Sequence, residues 1–464
     1  MPLAAPPLTP PVPAPVADPA ADPRPLTAPR LRECHHCGQL QILPAMPPAA
    51  RAVCLRCDAV LRHTHYDPLG IPLALNLAAL MLLAIAASST LVSVSSSLGQ
   101  RRIADLFSGP LDLERAGMWE LSLVVMFTTF AAPLAKLLAT TSVLLAVRLP
   151  RPSPWARLVF GWLQHVRPWS MVEVYLLGVF VAVVRLGSTV RIEIGPALYA
   201  LGALMLIMVA ADAALDPEAV WEAIGRHRDR AIPPRGAGWR ARHAAARRLG
   251  CGTCQMVSRA VPGALCPRCG FTMHPRKPDS VTRTWALCIA ALLLYIPANI
   301  YPVLTLTQLG SGHPSTILGG VRELLNAGMW PLAALVFFAS ILVPGLKLIG
   351  LAILLNGVRA RLRDRTRDRT ILYRIVEGIG RWSMIDVFMI SLLVALLQFG
   401  TLISVHPGPG AIAFAGVVIL TMFAARTFDP RLTWDAAGLQ SPETLPPAAP
   451  PSAAEDPHRA GAPA

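Results

Sequence analysis

The chain has 464 residues, 54% of them hydrophobic, and its mean hydropathy is +0.50. This composition excludes an ordinary soluble domain and predicts a protein that crosses a membrane several times. The formal net charge of +15 does not favour nucleic acid as a partner. The arginines cluster in loops beside apolar segments, which is the pattern that membrane topology produces.

Both ends of the chain are rich in proline and alanine. Residues 1–30 contain no continuous apolar run, so they are predicted to be a disordered arm rather than a signal peptide, and residues 439–464 are predicted to be a disordered tail. Between these ends we predict a first ribbon at 31–65, a first membrane unit at 66–225, a basic linker at 226–248, a second ribbon at 249–277 and a second membrane unit at 278–438.

Each predicted ribbon contains two C-x-x-C pairs. Four thiolates at this spacing fit one tetrahedral metal ion, and a closed four-sulfur site has no open position for a substrate. We therefore predict structural zinc in two four-cysteine sites, while iron in a rubredoxin-like site, suggested by CPRCG at 266–270, and a thiol redox pair remain alternatives. The predicted ligands are Cys34, Cys37, Cys54 and Cys57 in the first ribbon and Cys251, Cys254, Cys266 and Cys269 in the second. His35 and His36 are interpreted as spacers, and Cys288 as a buried apolar residue.

Eight apolar segments are long enough to span a bilayer. They are predicted at about 71–94, 117–147, from 169 onward, 196–215, 284–307, 328–357, 383–405 and 410–427. The predicted fold is an all-α polytopic membrane protein with two tandem four-helix units, each preceded by a small cytoplasmic zinc ribbon.

The two units are a duplication, which is clearest in their second spans. GMWELSLVVMFTTFAAPLAKLLATTSVLLAV at 117–147 corresponds to GMWPLAALVFFASILVPGLKLIGLAILLNGV at 328–358. Only three lysines occur in the chain, and Lys136 and Lys347 occupy equivalent positions after Pro133 and Pro344. A buried ammonium group can lose its proton, whereas a guanidinium cannot, so a lysine at this place indicates a functional requirement.

The basic loops determine the predicted orientation. The loops after spans 2 and 6 are the basic ones, so they are predicted to be cytoplasmic, together with both ribbons and both termini. The arginines of these loops are Arg148, Arg151, Arg157, Arg167, Arg359, Arg361, Arg363, Arg365 and Arg367.

Polar side chains inside the spans form the candidate functional site. The second unit places Ser340 two helical turns before Lys347, with Asp386 on span 7 and Thr421 on span 8. The first unit carries Thr129, Lys136 and Glu173 at the corresponding positions, but Met208 in place of Thr421. Lys347 with Asp386, and Lys136 with Glu173, are predicted either to exchange protons or to form buried ion pairs that hold the helices in register. A third interpretation places the two carboxylates near the cytoplasmic interface, where water hydrates them.

The ordered set of motifs resembles one known family. The C-x-x-C ribbons, YIPANIYPVLTL at 295–306, Pro344 with Lys347, RWSMIDVF at 381–388 and FDPRLTWD at 428–435 together resemble the paraquat-inducible protein A family of bacterial inner-membrane proteins. The resemblance covers the chain from about residue 31 to 438.

The resemblance implies a partner and a cargo. Family members are expected to have tetraspanin-like membrane units, to act with a periplasmic protein containing mammalian-cell-entry (MCE) domains, and to load or extract phospholipid at the inner membrane, with protons as a proposed energy source. The chain has no Walker-type phosphate loop, so ATP hydrolysis is not predicted. A membrane redox protein that uses the cysteines or a quinone, and a scaffold without transport of its own, are the alternatives.

Overall fold

The structure is a computed structural model, and it describes residues 30–95, 101–149, 154–186, 191–224, 247–308, 311–397 and 403–439. The predicted arm except Arg30, the predicted tail except Leu439, almost all of the basic linker and Arg151 of the first basic loop lie outside the described residues. Eight helices in the described part of the chain are long and apolar enough to cross a membrane. We number them as spans 1 to 8: Gly70–Ser88, Trp119–Val147, Trp155–Val184, Pro196–Ala214, Ser280–Ile300, Trp330–Arg359, Thr366–Leu396 and Pro409–Thr427.

Individual helices and strands divide these spans further. The first unit contains the helices Gly70–Ser88, Ser108–Arg115, Trp119–Met126, Ala132–Val147, Trp155–Val166, Val172–Leu186, Pro196–Ala214 and Pro217–Ala223. The second unit contains Ser280–Ile300, Ile317–Asn326, Trp330–Phe337, Val343–Arg359, Thr366–Ile379, Ile385–Leu396, Pro409–Thr427 and Arg431–Ala436. The ribbons contain the strands Arg30–Glu33, Leu40–Leu43, Arg51–Val53, Val60–His63, Arg247–Gly250 and Val257–Ala260, so each ribbon starts slightly before its predicted boundary.

Each second span is interrupted by a π-helical turn just before its proline. The turns are Phe127–Ala131, before Pro133, and Phe338–Leu342, before Pro344. A proline inside a helix lacks one donor and clashes with the preceding turn, and a π turn accommodates both effects. The hydroxyls of Thr129 and Ser340 lie in these turns and donate to Val125 O at 2.7 Å and to Val336 O at 2.6 Å. Thr129 and Ser340, two of the polar residues predicted to be functional, therefore occupy equivalent π-helical turns in the two units.

Spans 3 and 7 begin earlier than predicted. They start at Trp155 and Thr366, because the arginine-rich segments interpreted as loops form amphipathic helices. A 3₁₀ turn, Arg167–Trp169 in the first unit and Gly380–Met384 in the second, separates each amphipathic helix from the apolar helix that follows it. Span 7 ends at Leu396 rather than near 405, because residues 403–407 form a strand.

Two three-stranded antiparallel sheets were not predicted from the sequence. One joins Thr90–Ser95 to Arg101–Asp105 and Arg191–Ile194, and the other joins Leu304–Gln308 to Ser311–Ser315 and Ile403–Pro407. In each unit the strands follow the first span and precede the fourth, so both sheets lie on the membrane face opposite the ribbons. We call these two faces the sheet side and the ribbon side.

The two units pack against each other through their third spans. The apolar window of span 7 is 88% buried, against 22% for span 5, which places span 7 between the units. The rings of Tyr175 and Phe388 meet edge-on with centroids 5.6 Å apart. A Cβ on Gly178 would lie 3.0 Å from Phe388 Cβ, so a glycine is needed for this close approach.

The ribbons are crossed: the ribbon that precedes each membrane unit in the sequence packs on the other membrane unit. The first ribbon lies on the second unit, where Arg374 donates to Cys57 O at 2.7 Å and Arg56 lies 4.4 Å above the ring of Trp434. The second ribbon lies on the first unit, where Gln164 donates to Thr253 O at 2.5 Å. The ribbon domains therefore join the two membrane units on the ribbon side.

The two ribbons also contact each other. Gly250 N donates to Glu33 Oε2 at 2.7 Å, and Arg32 donates to Gln255 Oε1 at 3.0 Å. Glu218, on the short helix after span 4, pairs with Arg268 of the second ribbon at 3.0 Å and also with Arg32 of the first. Burial and the neighbouring arginines lower the pKa of Arg32 to about 10, which leaves it charged at neutral pH.

Candidate functional site

Two buried clusters of four cysteine sulfurs form the candidate metal centres. In each cluster all four Sγ atoms lie within 4.8 Å of one another. Cys34 to Cys57, Cys37 to Cys54, Cys251 to Cys269 and Cys254 to Cys266 are each 3.5 Å apart. A tetrahedral ion with metal–sulfur bonds of about 2.3 Å needs sulfurs roughly 3.8 Å apart, so the donor sets fit a metal ion rather than disulfides. The predicted ligand sets could each hold one ion, and the same geometry accepts zinc or iron.

The four C-x-x-C pairs share one turn, as their spacing predicts. In each turn the first cysteine's carbonyl accepts from the amide four residues later, for example Gly38 N to Cys34 O at 2.8 Å and Gly270 N to Cys266 O at 2.9 Å. The donor residue has a positive φ in all four turns, and it is Gly38, Asp58, Gln255 or Gly270. This left-handed position favours glycine and tolerates a polar residue less readily.

A group of charges around Glu33 attaches the first ribbon to the second unit. Arg431 donates to Glu33 Oε1 at 2.9 Å and to both oxygens of Asp429 at 3.0 Å. Burial alone raises the pKa of Asp429, but Arg431 and the backbone amide of Lys277 more than compensate and hold it below its ordinary value. Asp429 is therefore ionised at neutral pH and fixes Arg431 towards the ribbon.

The Glu33–Arg431 pair is expected to contribute measurably to stability. In a double-mutant cycle of Glu33→Gln and Arg431→Gln, we expect a coupling free energy of about 1–3 kcal/mol. Hydrogen bonds between charged, mostly buried groups contribute more to stability than hydrogen bonds between neutral groups. The measurement is reversible denaturation in detergent. The control cycle uses Asp58 and Arg367, an exposed pair for which less than about 1 kcal/mol is expected. Equal coupling in both cycles would contradict a specific role for Glu33.

In the first unit, Lys136 is paired with a carboxylate that the sequence analysis did not consider. Its Nζ lies 2.7 Å from Asp212 Oδ2, on span 4, and Arg167 approaches the other oxygen at 3.5 Å. The prediction that Lys136 pairs with Glu173 is therefore not met. Glu173 instead lines a cavity of about 710 Å³ between the two units, to which Lys136 and Asp212 also contribute.

In the second unit, Lys347 contacts only neutral groups among the described residues. It is 2% exposed, and its Nζ donates to Ser383 Oγ at 3.4 Å and to Gly380 O at 3.5 Å. The predicted partner Asp386 is not among its contacts in this conformation. Ser383, which the sequence analysis missed, lies at the start of RWSMIDVF one turn before Asp386.

A single substitution between the repeats explains the difference between the two lysines. When LDPEAVWEAIG is aligned with FDPRLTWDAAG, Asp212 corresponds to Ala425. Ser170 corresponds to Ser383 in the same alignment, and its buried Oγ has no hydrogen-bond partner within the described chain. Lys136 therefore binds a carboxylate that the second unit lacks, whereas Lys347 binds the serine. Comparing the ends of the fourth spans position by position would have revealed Asp212 from sequence alone.

Ser340 and Asp386 line a second, small cavity. This sheet-side cavity has a volume of about 40 Å³ and is also lined by Leu304, Thr316 and Phe414. Asp386 is 6% exposed and faces the sheet side, so the interpretation that water hydrates it at the ribbon-side interface is wrong. Thr421 is buried and donates to Val418 O at 2.9 Å, and it does not line this cavity.

Comparison with known proteins identifies the family. Residues 69–225 and 281–438 match the family model described as "Paraquat-inducible protein A". The chain belongs to this family. The matched ranges are the two membrane units, so the tandem organisation predicted from the sequence is confirmed as a family property.

Curated relatives of the paraquat-inducible protein A family cover most of the chain. "Intermembrane transport protein PqiA" of Escherichia coli K12 is 34% identical over 408 residues, which is 87% of this chain and 95% of that protein. "Lipophilic envelope-spanning tunnel protein A" of the same strain is 30% identical over 405 residues, covering 87% of this chain and 91% of that protein. No solved structure matches the chain. The relatives are named as transport proteins, and this family member is a multi-pass membrane protein.

Proposed function

We propose that the chain is the inner-membrane subunit of a lipid transport system and that protons supply the energy through Lys347 and Asp386. It loads phospholipid into, or extracts it from, a periplasmic MCE-domain protein that docks on the sheet side. The names of the two Escherichia coli relatives, which refer to intermembrane transport and to a lipophilic tunnel across the envelope, support a role in lipid transport. The basic loops on the ribbon side support a cytoplasmic location for that side.

The observation that carries the proposal is the environment of Lys347. A buried ammonium needs a counter-charge, and here its hydrogen-bond acceptors among the described residues are a serine hydroxyl and a backbone carbonyl. Without a fixed counter-charge among its described neighbours, this amine is available to accept and release a proton. Lys136, in contrast, forms an ion pair with the fixed carboxylate of Asp212.

Asp386 and Ser340 provide the second part of the relay. They share the sheet-side cavity, while Lys347 and Ser383 lie towards the ribbon side. A proton that enters through this cavity would protonate Asp386. A small rotation of the 3₁₀ turn Gly380–Met384 would then allow the proton to pass from Asp386 through Ser383 to Lys347. Thr421 is assigned to the wall of this path. In the first unit, we assign Lys136 to helix packing and Glu173 to the cavity between the units.

The metal centres have a structural role in this proposal. Zinc in both four-cysteine sites folds the ribbons, and the ribbons hold the two units together from the cytoplasmic side. Thiol–disulfide chemistry would need an exposed thiol, and all eight ligand cysteines are buried. A scaffold without transport would not require a buried lysine with neutral neighbours.

The test is lipid transfer from proteoliposomes with an imposed pH gradient. Purified full-length protein is reconstituted with a fluorescent phospholipid, and a soluble MCE-domain protein serves as acceptor. We expect the gradient to accelerate transfer several-fold and a protonophore to remove this acceleration. An unchanged rate with and without the gradient would refute proton coupling, and absence of any transfer to the acceptor would refute the transport function.

A further inference from the structure

The cavity of about 710 Å³ between the two units is not used by the proposed relay. It lies on the ribbon side, and both units contribute to its walls. Ser170 and Asp212 belong to the first unit, Arg374 and Arg426 belong to the second, and His36 of the first ribbon lies at its edge. Its lining includes Asp212 and Arg426, near the ribbon-side ends of spans 4 and 8, where lipid head groups are expected.

Two buried donors in this cavity, Ser170 Oγ and Arg374 Nε, have no acceptor among the described residues. Ser170 is 5% exposed, and its Oγ makes no hydrogen bond within that part of the chain. Arg374 donates to Cys57 O through Nη2, but its buried Nε has no partner there either. Arg426 is half-buried, and its guanidinium lies close enough to Glu377 for their opposite charges to interact. A buried donor without an acceptor is costly, so Ser170 Oγ and Arg374 Nε indicate a missing acceptor in this cavity.

Basic side chains outnumber acidic ones around the cavity. The basic residues are Lys136, Arg167, Arg374 and Arg426, and the acidic ones are Glu173, Asp212 and Glu377. The carboxylate of Asp212 is already engaged by Lys136 and Arg167, so it does not neutralise the arginines of the second unit. The lining therefore carries one net positive charge, which a phosphodiester monoanion would neutralise.

The cavity is amphipathic. Besides the donors, its lining includes the apolar side chains of Met205, Met208, Val209 and Met422. Methionine adapts to flexible apolar ligands, and this surface continues into the membrane part of spans 4 and 8. The cavity therefore offers a polar end and an apolar wall to the same ligand.

We propose that this cavity binds a phosphate-ester anion, with the phosphate between Arg426, Arg374 and Ser170. Planar guanidinium groups and a hydroxyl are the donors that phosphate oxygens accept most readily. The methionine surface fits an acyl chain, so a membrane phospholipid satisfies both parts of the cavity. A soluble phosphate ester would satisfy only the polar part. This inference concerns binding on the ribbon side and does not depend on transport.

Binding is tested by native mass spectrometry of the full-length, metal-loaded protein. The protein is titrated with phosphatidylglycerol, with a diacylglycerol of the same chains and with glycerol phosphate. The variants are Arg426→Gln and Ser170→Ala, and the matched control is Arg359→Gln, an exposed arginine at the ribbon-side end of span 6 that does not line the cavity. Thermal unfolding and metal content are measured for each variant to exclude misfolding.

We expect phosphatidylglycerol to bind at one site with an affinity that falls about tenfold in Arg426→Gln and remains unchanged in Arg359→Gln. Diacylglycerol should not compete. Competition by glycerol phosphate at the affinity of the lipid would identify a soluble phosphate ester as the ligand. Equal binding of phosphatidylglycerol by wild type, Arg426→Gln and Ser170→Ala, without any effect of glycerol phosphate, would overturn the proposal.

Discussion

Lys347→Ala is expected to reduce gradient-driven lipid transfer by about 100-fold or more, the range in which removal of an essential proton-transfer group falls. The reason is that Lys347 is the residue of the proposed relay whose described neighbours leave its charge uncompensated. Transfer is measured in proteoliposomes as above. Lys347→Arg is expected to be equally inactive, because a guanidinium does not release its proton.

Lys136→Ala is the matched control for this prediction. It removes the equivalent lysine of the first unit, whose charge is held by Asp212. We expect this variant to lose stability, by on the order of 1–3 kcal/mol, because Asp212 is left without its ammonium partner, and to retain transfer within a few-fold. Equal loss of transfer in both variants, with normal folding, would contradict the assignment of the relay to the second unit.

Loss of one metal site is expected to release the first ribbon from the second unit. Cys57→Ser should lower the bound metal from two ions to one per chain, because a site of three cysteines and one serine binds zinc far more weakly. Structural zinc contributes roughly 10 kcal/mol or more to folding of such small domains, so the ribbon itself should unfold. The contacts of Cys57 O with Arg374 and of Glu33 with Arg431 would then be lost.

Metal analysis and limited proteolysis measure this effect. The first ribbon of Cys57→Ser should be cleaved rapidly, whereas the second ribbon keeps its metal. Cys288→Ser is the matched control, because Cys288 lies in span 5 away from both four-cysteine clusters. Zinc in a colourless protein would confirm the predicted metal, whereas iron in a coloured protein would show that the prediction of zinc is wrong. An intact ribbon in metal-free protein would contradict the structural role.

The sequence was sufficient to predict the membrane units, and the reasons are physical. Hydrocarbon requires long apolar helices, and the ribbon cysteines have the spacing that a tetrahedral ion imposes. The duplication of Pro133 with Lys136 and Pro344 with Lys347 then located the second spans in both units. These features are local, so a pattern along the chain is enough to recognise them.

The features that the sequence analysis missed are of two kinds. The strands Thr90–Ser95 and Leu304–Gln308 were predicted as the ends of spans 1 and 5, which instead end at Ser88 and Ile300, although TLVSVS and LTLTQ alternate as strands do. The crossed ribbons depend on contacts between residues almost 400 positions apart, such as Glu33 with Arg431, and no local pattern encodes them. The partner of Lys136 was missed because Asp212 was counted as part of an apolar span.

The relay remains a prediction for Ser340, Asp386 and Thr421. The structure brings Ser340 and Asp386 to one cavity, adds Ser383 beside Lys347, and separates Lys347 from Asp386 in this conformation. A relay that alternates between two sides of the membrane needs such a separation in at least one of its states, because a permanent ion pair would not release its proton.

The transfer rate of Ala425→Asp tests the central claim most directly. This substitution gives Lys347 the carboxylate that Asp212 provides to Lys136, without altering any residue of the proposed relay. We predict that Ala425→Asp folds and binds metal normally and transfers lipid as slowly as Lys347→Ala. A folded Ala425→Asp variant that transfers lipid at the wild-type rate would contradict the claim that Lys347 works because it has no fixed partner.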